Sequence, residues 1–302
     1  MYAVPDQAGR TFIVTGANSG TGKEATRRLA GAGAKVIMAV RNLTKGEDAR
    51  REILEQHPTA DLELRHIDLA SLASVREFAA GILTDHTRVD VLVNNAGVMV
   101  PPTREATADG FELQFGSNFL GPFALTMLLL PRILESDSPR IATMSSGTAN
   151  FGRINFDDLN WEKSYSAGRA YAQSKLADML FAERLATLSR DRGWSLRSTI
   201  AHPGYTRTNL QTAGRNLGRK GDELAPVQRT ILPSQGVEQG AEPLLFAAAD
   251  PAAEQGAYYG PKTLALVGPT KKVRLPRSAR RAGVPEKLWP VAESLTSTTL
   301  PG

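Results

Sequence analysis

The sequence has no cysteine among its 302 residues and only four histidines. Without cysteine the chain has no disulfide bond, no thiolate nucleophile, no cysteine-ligated zinc and no iron–sulfur cluster. The histidines are His57, His66, His86 and His202, and no two of them have the i, i+4 spacing that places both on one helix face. We therefore expect no metal site.

Long hydrophobic runs are also missing. The most apolar stretch, 119–134, is interrupted by Pro122 and Pro131 and is shorter than the roughly 18 residues that a membrane-spanning helix needs. The N-terminal residues MYAVPDQAGR lack the apolar core of a signal peptide. The net charge of +5 is too small to indicate nucleic-acid binding. These features predict a cytoplasmic protein with no membrane anchor and no nucleic-acid partner.

Short β-branched or apolar runs alternate with longer helical patterns. The runs predict strands at 11–15, 35–40, 62–67, 89–93, 140–144 and 196–201. The helical patterns lie between them, at about 20–32, 44–56, 71–85, 110–135 and 168–192. This alternation predicts an α/β fold with a single Rossmann-type, doubly wound parallel sheet of about seven strands and helices on both faces. Because no linker divides the chain, we expect one domain over 1–302.

Two segments depart from this rhythm. Residues 206–234 are polar and rich in glycine, which predicts a loop over the substrate or a lid. Residues 270–302 form a predicted C-terminal extension, and its basic part, Thr270–Arg281, is predicted to be a solvated surface tail. A phosphate or nucleic-acid contact is the less favoured interpretation of that basic part, because no aromatic residues accompany it.

A glycine-rich turn follows the first predicted strand and opens a helix. Its glycines, Gly16, Gly20 and Gly22, have the spacing G-x-x-x-G-x-G. Glycine permits a tight turn and lets the backbone approach a phosphate, and the helix N-terminus offers unpaired N–H groups and a partial positive charge. The turn therefore predicts a pyrophosphate site, with a purely structural turn as the alternative.

The second predicted strand ends at Val40 and is followed by Arg41 and Asn42. NAD-binding sheets commonly place a carboxylate here for the ribose 2′-hydroxyl, and this chain has none. An arginine pairs instead with a 2′-phosphate through charge-assisted hydrogen bonds. We therefore predict NADP(H) in preference to NAD(H). The alternative is an arginine that only faces solvent.

Tyr171 and Lys175 form a Y-x-x-x-K pair inside a helical pattern. The i, i+4 spacing places both side chains on one face of the helix. An ammonium group near a tyrosine favours the phenolate, so the pair can serve as a general acid for a carbonyl or a general base for an alcohol. Taken alone, this spacing is common by chance, and a pair on the helix surface is the favoured interpretation.

The order of the motifs resembles the short-chain dehydrogenase/reductase family over about 11–261. The motifs are the glycine turn at 16–22, Asn94-Asn95-Ala96-Gly97, Ser146, Tyr171 with Lys175, and Pro203-Gly204. Residues 153–161 and 165–177, with Val98-Met99 and His202, resemble in particular the retinol dehydrogenase and protochlorophyllide-reductase-like members.

The resemblance implies a role for each matching residue. Tyr171 matches the general acid/base and Lys175 the residue that supports it and holds the nicotinamide ribose; Ser146 matches the hydroxyl that orients the carbonyl. Asn118 matches the asparagine of a proton relay, and Gly116 stands where a bulkier residue is common, so that we expect it to loosen that helix. The cofactor-binding residues that the motifs and the resemblance predict are Gly16, Asn18, Ser19, Gly20, Thr21, Gly22, Arg41, Asn42, Asp68, Leu69, Asn94, Ala96, Gly97, Tyr171, Lys175, Pro203, Gly204, Thr206 and Thr208.

The candidate substrate pocket is apolar. Its predicted residues are Met99, Ser146, Phe151, Tyr165 and Tyr205, which favour a small hydrophobic ketone, aldehyde or secondary alcohol. The resulting prediction is an NADP(H)-dependent oxidoreductase of the carbonyl reductase or alcohol dehydrogenase type, either a monomer or a homodimer. The alternatives are a non-catalytic dinucleotide sensor and a relative of the sugar-nucleotide epimerases or dehydratases.

Overall fold

The structure, a computed structural model, describes residues 1–208 and 233–301. Its strands form one eight-stranded sheet in the order β3-β2-β1-β4-β5-β6-β7-β8. The strands are β1 (Thr11–Thr15), β2 (Lys35–Val40), β3 (Leu62–His66), β4 (Val91–Asn94), β5 (Arg140–Met144), β6 (Arg197–Ala201), β7 (Tyr258–Thr263) and β8 (Val267–Val273). Neighbouring strands are parallel except β7 and β8, which are antiparallel. The predicted fold class is confirmed, and most of the predicted loop at 206–234 lies outside the described residues.

The helices cover both faces of this sheet. They are α1 (Gly20–Gly31), α2 (Leu43–Gln56), α3 (Leu72–Asp85), α4 (Leu113–Leu134), α5 (Ala167–Asp191), α6 (Val237–Ala249) and α7 (Val284–Thr296). One core cluster joins Ile13 of β1 to α3, α4, α5 and α7, and the other joins Phe12 and Val14 to α1, α2 and α6. The central strands are apolar at successive positions because both of their faces are buried.

The strand order determines which edge of the sheet is suited to bind a ligand. β1 lies between β2 and β4, so the chain leaves β1 and β4 in opposite directions along the sheet. Ligands of open α/β sheets bind at such a switch point, outside the carboxyl ends of the strands. The segments that follow β1, β2, β3 and β4 contain most of the predicted cofactor-binding residues.

The end of the chain differs from the sequence-based expectation. The sheet has eight strands instead of about seven, because β7 and β8 form an edge hairpin. Residues 270–273, predicted to belong to a solvated tail, lie within β8, and α7 follows inside the predicted extension. Gly260 and Pro261 make β7 look like a turn in the sequence, and Pro285 and Pro290 do the same for α7.

Helix α4 is the long apolar element of the core. Among the described residues it is the one helix with the length and apolarity to cross a membrane, but 94% of its most apolar window is buried inside the fold. Its turn Gly116–Leu120 is π-helical, a geometry often found at functional sites. Gly116 is required by packing, since a Cβ there would lie 2.4 Å from Cγ2 of Thr107.

Candidate functional site

The glycine turn between β1 and α1 adopts backbone conformations that favour glycine. Gly16 has φ of 69° and Gly20 has φ of 52°. At Gly22 a Cβ would come within 2.3 Å of the Gly16 carbonyl oxygen, so the turn closes only with glycine there. Ser19, at the N-cap of α1, makes no side-chain hydrogen bond to the helix. The first turn therefore presents its N–H groups to the edge of the sheet, where an anion fits.

Asn95 joins this turn to the end of β4. Its Nδ2 donates to the Thr15 carbonyl oxygen over 2.9 Å, and its Oδ1 accepts from Oγ1 of Thr21 over 2.9 Å. The Thr15 hydroxyl completes the link, because it accepts from the backbone N–H groups of Asn95 and Ala96. The two strand ends are therefore held in one fixed geometry.

A cleft of about 890 Å³ runs along these strand ends. The predicted cofactor-binding residues that line it are Gly16, Asn18, Ser19, Gly20, Thr21, Arg41, Asn42, Asp68, Leu69, Ala96, Gly97 and Thr208. Asp68 is held in the loop after β3, where its Oδ1 accepts from the Ala70 N–H and its own N–H donates to Ser74. The cleft thus extends from the glycine turn across β2 and β3 and back to Gly97.

The far end of the cleft carries several charges. Arg41 is exposed at the end of β2, and Asn42 caps α2 by accepting from the Lys45 N–H over 2.9 Å. Lys45 lines the same end, as do Asp48 and Glu52, and Lys23 forms an ion pair with Glu52. Arg41 and Lys45 thus bring two cationic side chains to this end of the cleft.

The cleft also contains a buried polar atom that fits a polar ligand. Oγ of Ser117 is buried without a hydrogen-bond partner, and Ser117 lines the cleft beside Gly97 and Val98. A buried hydroxyl without a partner is costly unless a ligand or water satisfies it. Gly97 also lies near the proposed catalytic lysine, since a Cβ on it would lie 3.6 Å from Nζ of Lys175. A nicotinamide dinucleotide fits these residues.

Tyr171, Ser146 and Lys175 lie close together, and Nζ of Lys175 lies near Gly97 at the lining of the cleft. Tyr171 and Lys175 lie on α5, and Ser146 follows β5, where its hydroxyl is near enough to the Tyr171 phenol to lower the pKa of that phenol. Burial raises the pKa of Tyr171, and the Lys175 ammonium and the Ser146 hydroxyl offset that rise only in part. The phenol is therefore a protonated acid at neutral pH in this structure.

Asn118 lies in the π-helical turn of α4 and connects three segments. Its Oδ1 accepts from the Val98 N–H over 2.7 Å, and its Nδ2 donates to the Val98 carbonyl oxygen over 3.0 Å. The same Nδ2 donates to Oγ of Ser174, the neighbour of Lys175, over 2.9 Å. Asn118 therefore holds the loop after β4 in position against α5.

Several predicted cofactor-binding residues lie outside the lining of the cleft: Gly22, Asn94, Tyr171, Lys175, Pro203, Gly204 and Thr206. Asn94 is buried, and its Nδ2 donates to Thr126 of α4 over 3.1 Å. Gly204 has φ of 64° and lies against the Leu266 carbonyl, so a Cβ there would come within 2.3 Å of that oxygen. Burial lowers the pKa of the preceding His202 to about 4, which makes it a neutral acceptor for the Gly204 N–H.

The five predicted pocket residues differ in their exposure to solvent. None of them lines the described cleft, and Phe151 is 87% exposed. Met99, Ser146, Tyr165 and Tyr205 are partly buried. The Tyr165 hydroxyl accepts from Nε2 of Gln114 over 3.3 Å, so the segment before Tyr171 is attached to the start of α4. Gln114 also binds the loop after β4, because its Oε1 accepts from the N–H of Val100. Val100 has a left-handed backbone conformation, with φ of 46°.

The sequence analysis did not single out four residues of the site. Asn95, Ser117 and Lys45 line the cleft, and Asp178 is paired with Lys175. Asn95 stood inside a motif already noted, and Lys45 and Asp178 follow Arg41 and Lys175 at i+4 and i+3. Helical spacing could therefore have indicated two of them. The unpartnered state of Ser117 depends on packing and has no sequence signal.

Comparison with known proteins gives a consistent set of relatives. The family model described as short chain dehydrogenase matches residues 10–216. The chain is 45% identical to human retinol dehydrogenase 13 over 227 residues, which are 74% of this chain and 67% of that protein.

Solved structures show the same fold. A crystal structure of an uncharacterized protein from Mycobacterium paratuberculosis has a TM-score of 0.82 and 41% identity, covering 99% of this chain and 97% of that one. A short chain dehydrogenase from Shigella flexneri 2a str. 301, complexed with NADP, has a TM-score of 0.61 and 25% identity. That alignment covers 85% of this chain and 98% of the other.

Proposed function

This chain belongs to the short-chain dehydrogenase family, in its retinol dehydrogenase-like subgroup, and is an oxidoreductase that uses a nicotinamide cofactor; from that premise we propose that it is an NADP(H)-dependent carbonyl reductase or alcohol dehydrogenase. The observation that carries the proposal is the buried Tyr171, whose ionised form is favoured by both the nearby Ser146 hydroxyl and the Lys175 ammonium. A phenol placed between a hydroxyl and a cation is suited to move a proton to or from a substrate oxygen.

The cleft supports the choice of cofactor. The glycine turn and the N-terminus of α1 would hold the pyrophosphate, and Asp68 and Leu69 would face the adenine. Arg41 would pair with a 2′-phosphate, and Lys175 would reach the nicotinamide ribose past Gly97. When bound, the nicotinamide ring supplies or accepts the hydride.

The residues of the chain supply the proton transfer. In the reducing direction Ser146 orients the carbonyl oxygen by a hydrogen bond, and Tyr171 donates its proton to that oxygen. In the oxidising direction the Tyr171 phenolate removes the proton of the alcohol. Lys175 stabilises that phenolate by its charge, and Asn118 fixes the loop that borders the ribose position.

A small hydrophobic carbonyl or alcohol is the proposed substrate class. Met99, Tyr165 and Tyr205 are partly buried. The relatives named retinol dehydrogenases add the retinal and retinol pair to the substrates worth testing. Bulky ketones and aldehydes complete the panel, because apolar lining favours apolar ligands.

Replacing Tyr171 by phenylalanine tests the proposal. We expect Tyr171→Phe to lower kcat for NADPH-dependent carbonyl reduction by about 10²- to 10⁴-fold, since general acid catalysis contributes about that much. The measurement is NADPH absorbance with the carbonyl panel, alongside NADPH binding by fluorescence titration. Binding should remain within a few-fold of the wild type, because the variant removes only the phenolic hydroxyl.

Tyr259→Phe is the matched control. Tyr259 is a buried tyrosine of β7, and its hydroxyl accepts from the Glu254 N–H away from the cleft. We expect this variant to keep the wild-type kcat. Undiminished turnover by Tyr171→Phe would contradict the assigned role, and tight NADPH binding by the wild type without any turnover would favour a dinucleotide sensor.

A further inference from the structure

Helix α5 contains a buried ion pair next to the proposed proton donor. Nζ of Lys175 lies 2.8 Å from Oδ2 of Asp178, one helical turn further along, and the two side chains are 5% and 3% exposed. The same Nζ donates to the Met144 carbonyl oxygen at the end of β5 over 3.1 Å. Two of the three donors of the ammonium are therefore engaged by the protein.

Stability alone does not account for this pair. Removing two charges from water costs free energy that their attraction often fails to recover, and apolar residues of similar volume are frequently as stable or more so. The pair nevertheless lies beside Tyr171, where a charge affects proton transfer directly.

Among the described residues, only a few titratable and polar groups affect the pKa of Tyr171 and of the groups paired with it. The Lys175 ammonium, the Ser146 hydroxyl and the Asp178 carboxylate act on Tyr171. Lys175 is acted on by Asp178 and Tyr171, and Asp178 by Lys175. Within the described parts of the chain, no charged group from β5 or α4 adds to this set. Asp178 is thus the negative group that opposes Lys175 at Tyr171.

The charge states of the set follow from burial and pairing. Burial raises the pKa of Asp178 to about 7, and Lys175 offsets part of that rise. An unperturbed tyrosine titrates near pH 10, so Asp178 is ionised throughout the range in which Tyr171 titrates. Burial lowers the pKa of Lys175, but Asp178 and Tyr171 together raise it by more than burial lowers it. Lys175 therefore stays an ammonium over the same pH range.

We propose that Asp178 is a positioning residue of the proton-transfer site: it holds the Lys175 ammonium against the Met144 carbonyl and offsets its charge, so that Tyr171 remains a protonated acid into the alkaline range. The inference rests on the proposed function of Tyr171. Its consequence is a carbonyl reductase that keeps its rate at alkaline pH. Alcohol oxidation by the same site then requires a higher pH than a tyrosine facing an unopposed ammonium would need.

Asp178→Asn tests the proposal because asparagine has nearly the same shape without the charge. Removing the negative group leaves the ammonium unopposed, which favours the phenolate and lowers the pKa of Tyr171. We expect the alkaline limb of kcat/KM for reduction to move to lower pH by about one unit. The rising limb of alcohol oxidation should move by the same amount, since both limbs report the same phenol.

Two further variants separate charge from structure. Asp178→Glu keeps the charge and should restore a profile close to that of the wild type. Asp191→Asn makes the same substitution at the exposed end of α5 and should leave both limbs in place. A merely structural role for Asp178 would lower the rates of Asp178→Asn at every pH without moving either limb, and that result would overturn the proposal.

The wild-type enzyme provides a measurement that does not depend on the folding of the variant. Its rate of alcohol oxidation should still rise above about pH 8, because the phenol is protonated below that pH. A plateau already reached near pH 7 would overturn the proposal. A wild type without turnover on any substrate overturns the proposed function and this inference with it, whereas an active enzyme with unmoved limbs in Asp178→Asn overturns only the role of Asp178.

Discussion

Arg41 is an exposed residue at the end of β2, and its position in the cleft yields a prediction about cofactor choice. We expect Arg41→Ala to weaken NADPH binding by about 10- to 100-fold, since a hydrogen bond to a charged group contributes about 1.5–3 kcal/mol. NADH lacks the 2′-phosphate, so its affinity should change much less. Fluorescence titration of both cofactors measures the two dissociation constants.

Arg50→Ala is the matched control for this prediction. Arg50 lies on α2 and pairs with Glu47, and neither residue lines the cleft. The control removes the same charge from the same part of the molecule, so it reports any general electrostatic effect. An equal loss of NADPH and NADH affinity in Arg41→Ala would remove the case for a phosphate contact.

Single residues could be predicted from the sequence wherever a motif carried their chemistry. Tyr171, Lys175 and Ser146 are brought together because one helix and one strand end position them. Asp178 was not predicted, because a carboxylate at i+3 of a lysine usually lies on a solvated face. Its burial depends on the packing of α5 against β5, which no local pattern reveals.

The turn between β1 and α1 depends on glycine at one position above all. A Cβ at Gly22 would lie 2.3 Å from the Gly16 carbonyl oxygen and 2.4 Å from Nδ2 of Asn95. We expect Gly22→Ala to lower the free energy of unfolding by about 1–3 kcal/mol, as overpacking does, and to weaken NADPH binding because the turn must widen. Urea denaturation and NADPH titration measure the two effects.

Gly168→Ala serves as the control for that substitution. Gly168 lies in α5, and a Cβ there would meet nothing within 4 Å. The exchange should stabilise the protein by about 0.5–1 kcal/mol, because alanine loses less conformational freedom in a helix. Unchanged NADPH affinity in Gly22→Ala would contradict the role of the turn.

Helices and strands with a strong period were predicted to within a few residues. The strands at 11–15, 35–40 and 140–144 have the predicted bounds, because continuous apolar runs bounded by turn residues identify buried parallel strands. β7, β8, α6 and α7 were not predicted. Their sequences contain proline and glycine or alternate weakly, and pairing and packing with distant parts of the chain override that local signal.

The C-terminal helix connects the far end of the chain to the helices that bear the site. Trp289 of α7 lies with its ring centroid 5.2 Å from that of Phe123 on α4 and 5.8 Å from that of Phe181 on α5. Helix α4 also carries Asn118, and α5 carries Tyr171, Lys175 and Asp178. Residues 284–296 therefore support the back of the site without contacting the cleft.

Trp289→Ala tests this support. Deleting a buried tryptophan side chain typically costs about 3–5 kcal/mol, and for a chain of this length each kcal/mol lowers Tm by about 2–4 °C. We expect a lower Tm in thermal unfolding followed by circular dichroism, with NADPH affinity at 20 °C within a few-fold of the wild type, because no residue of 284–296 lines the cleft. Ser294→Ala, an exposed change on the same helix, should alter the free energy of unfolding by no more than about 0.5 kcal/mol. An unchanged Tm in Trp289→Ala would show that α7 contributes little to the packing of α4 and α5.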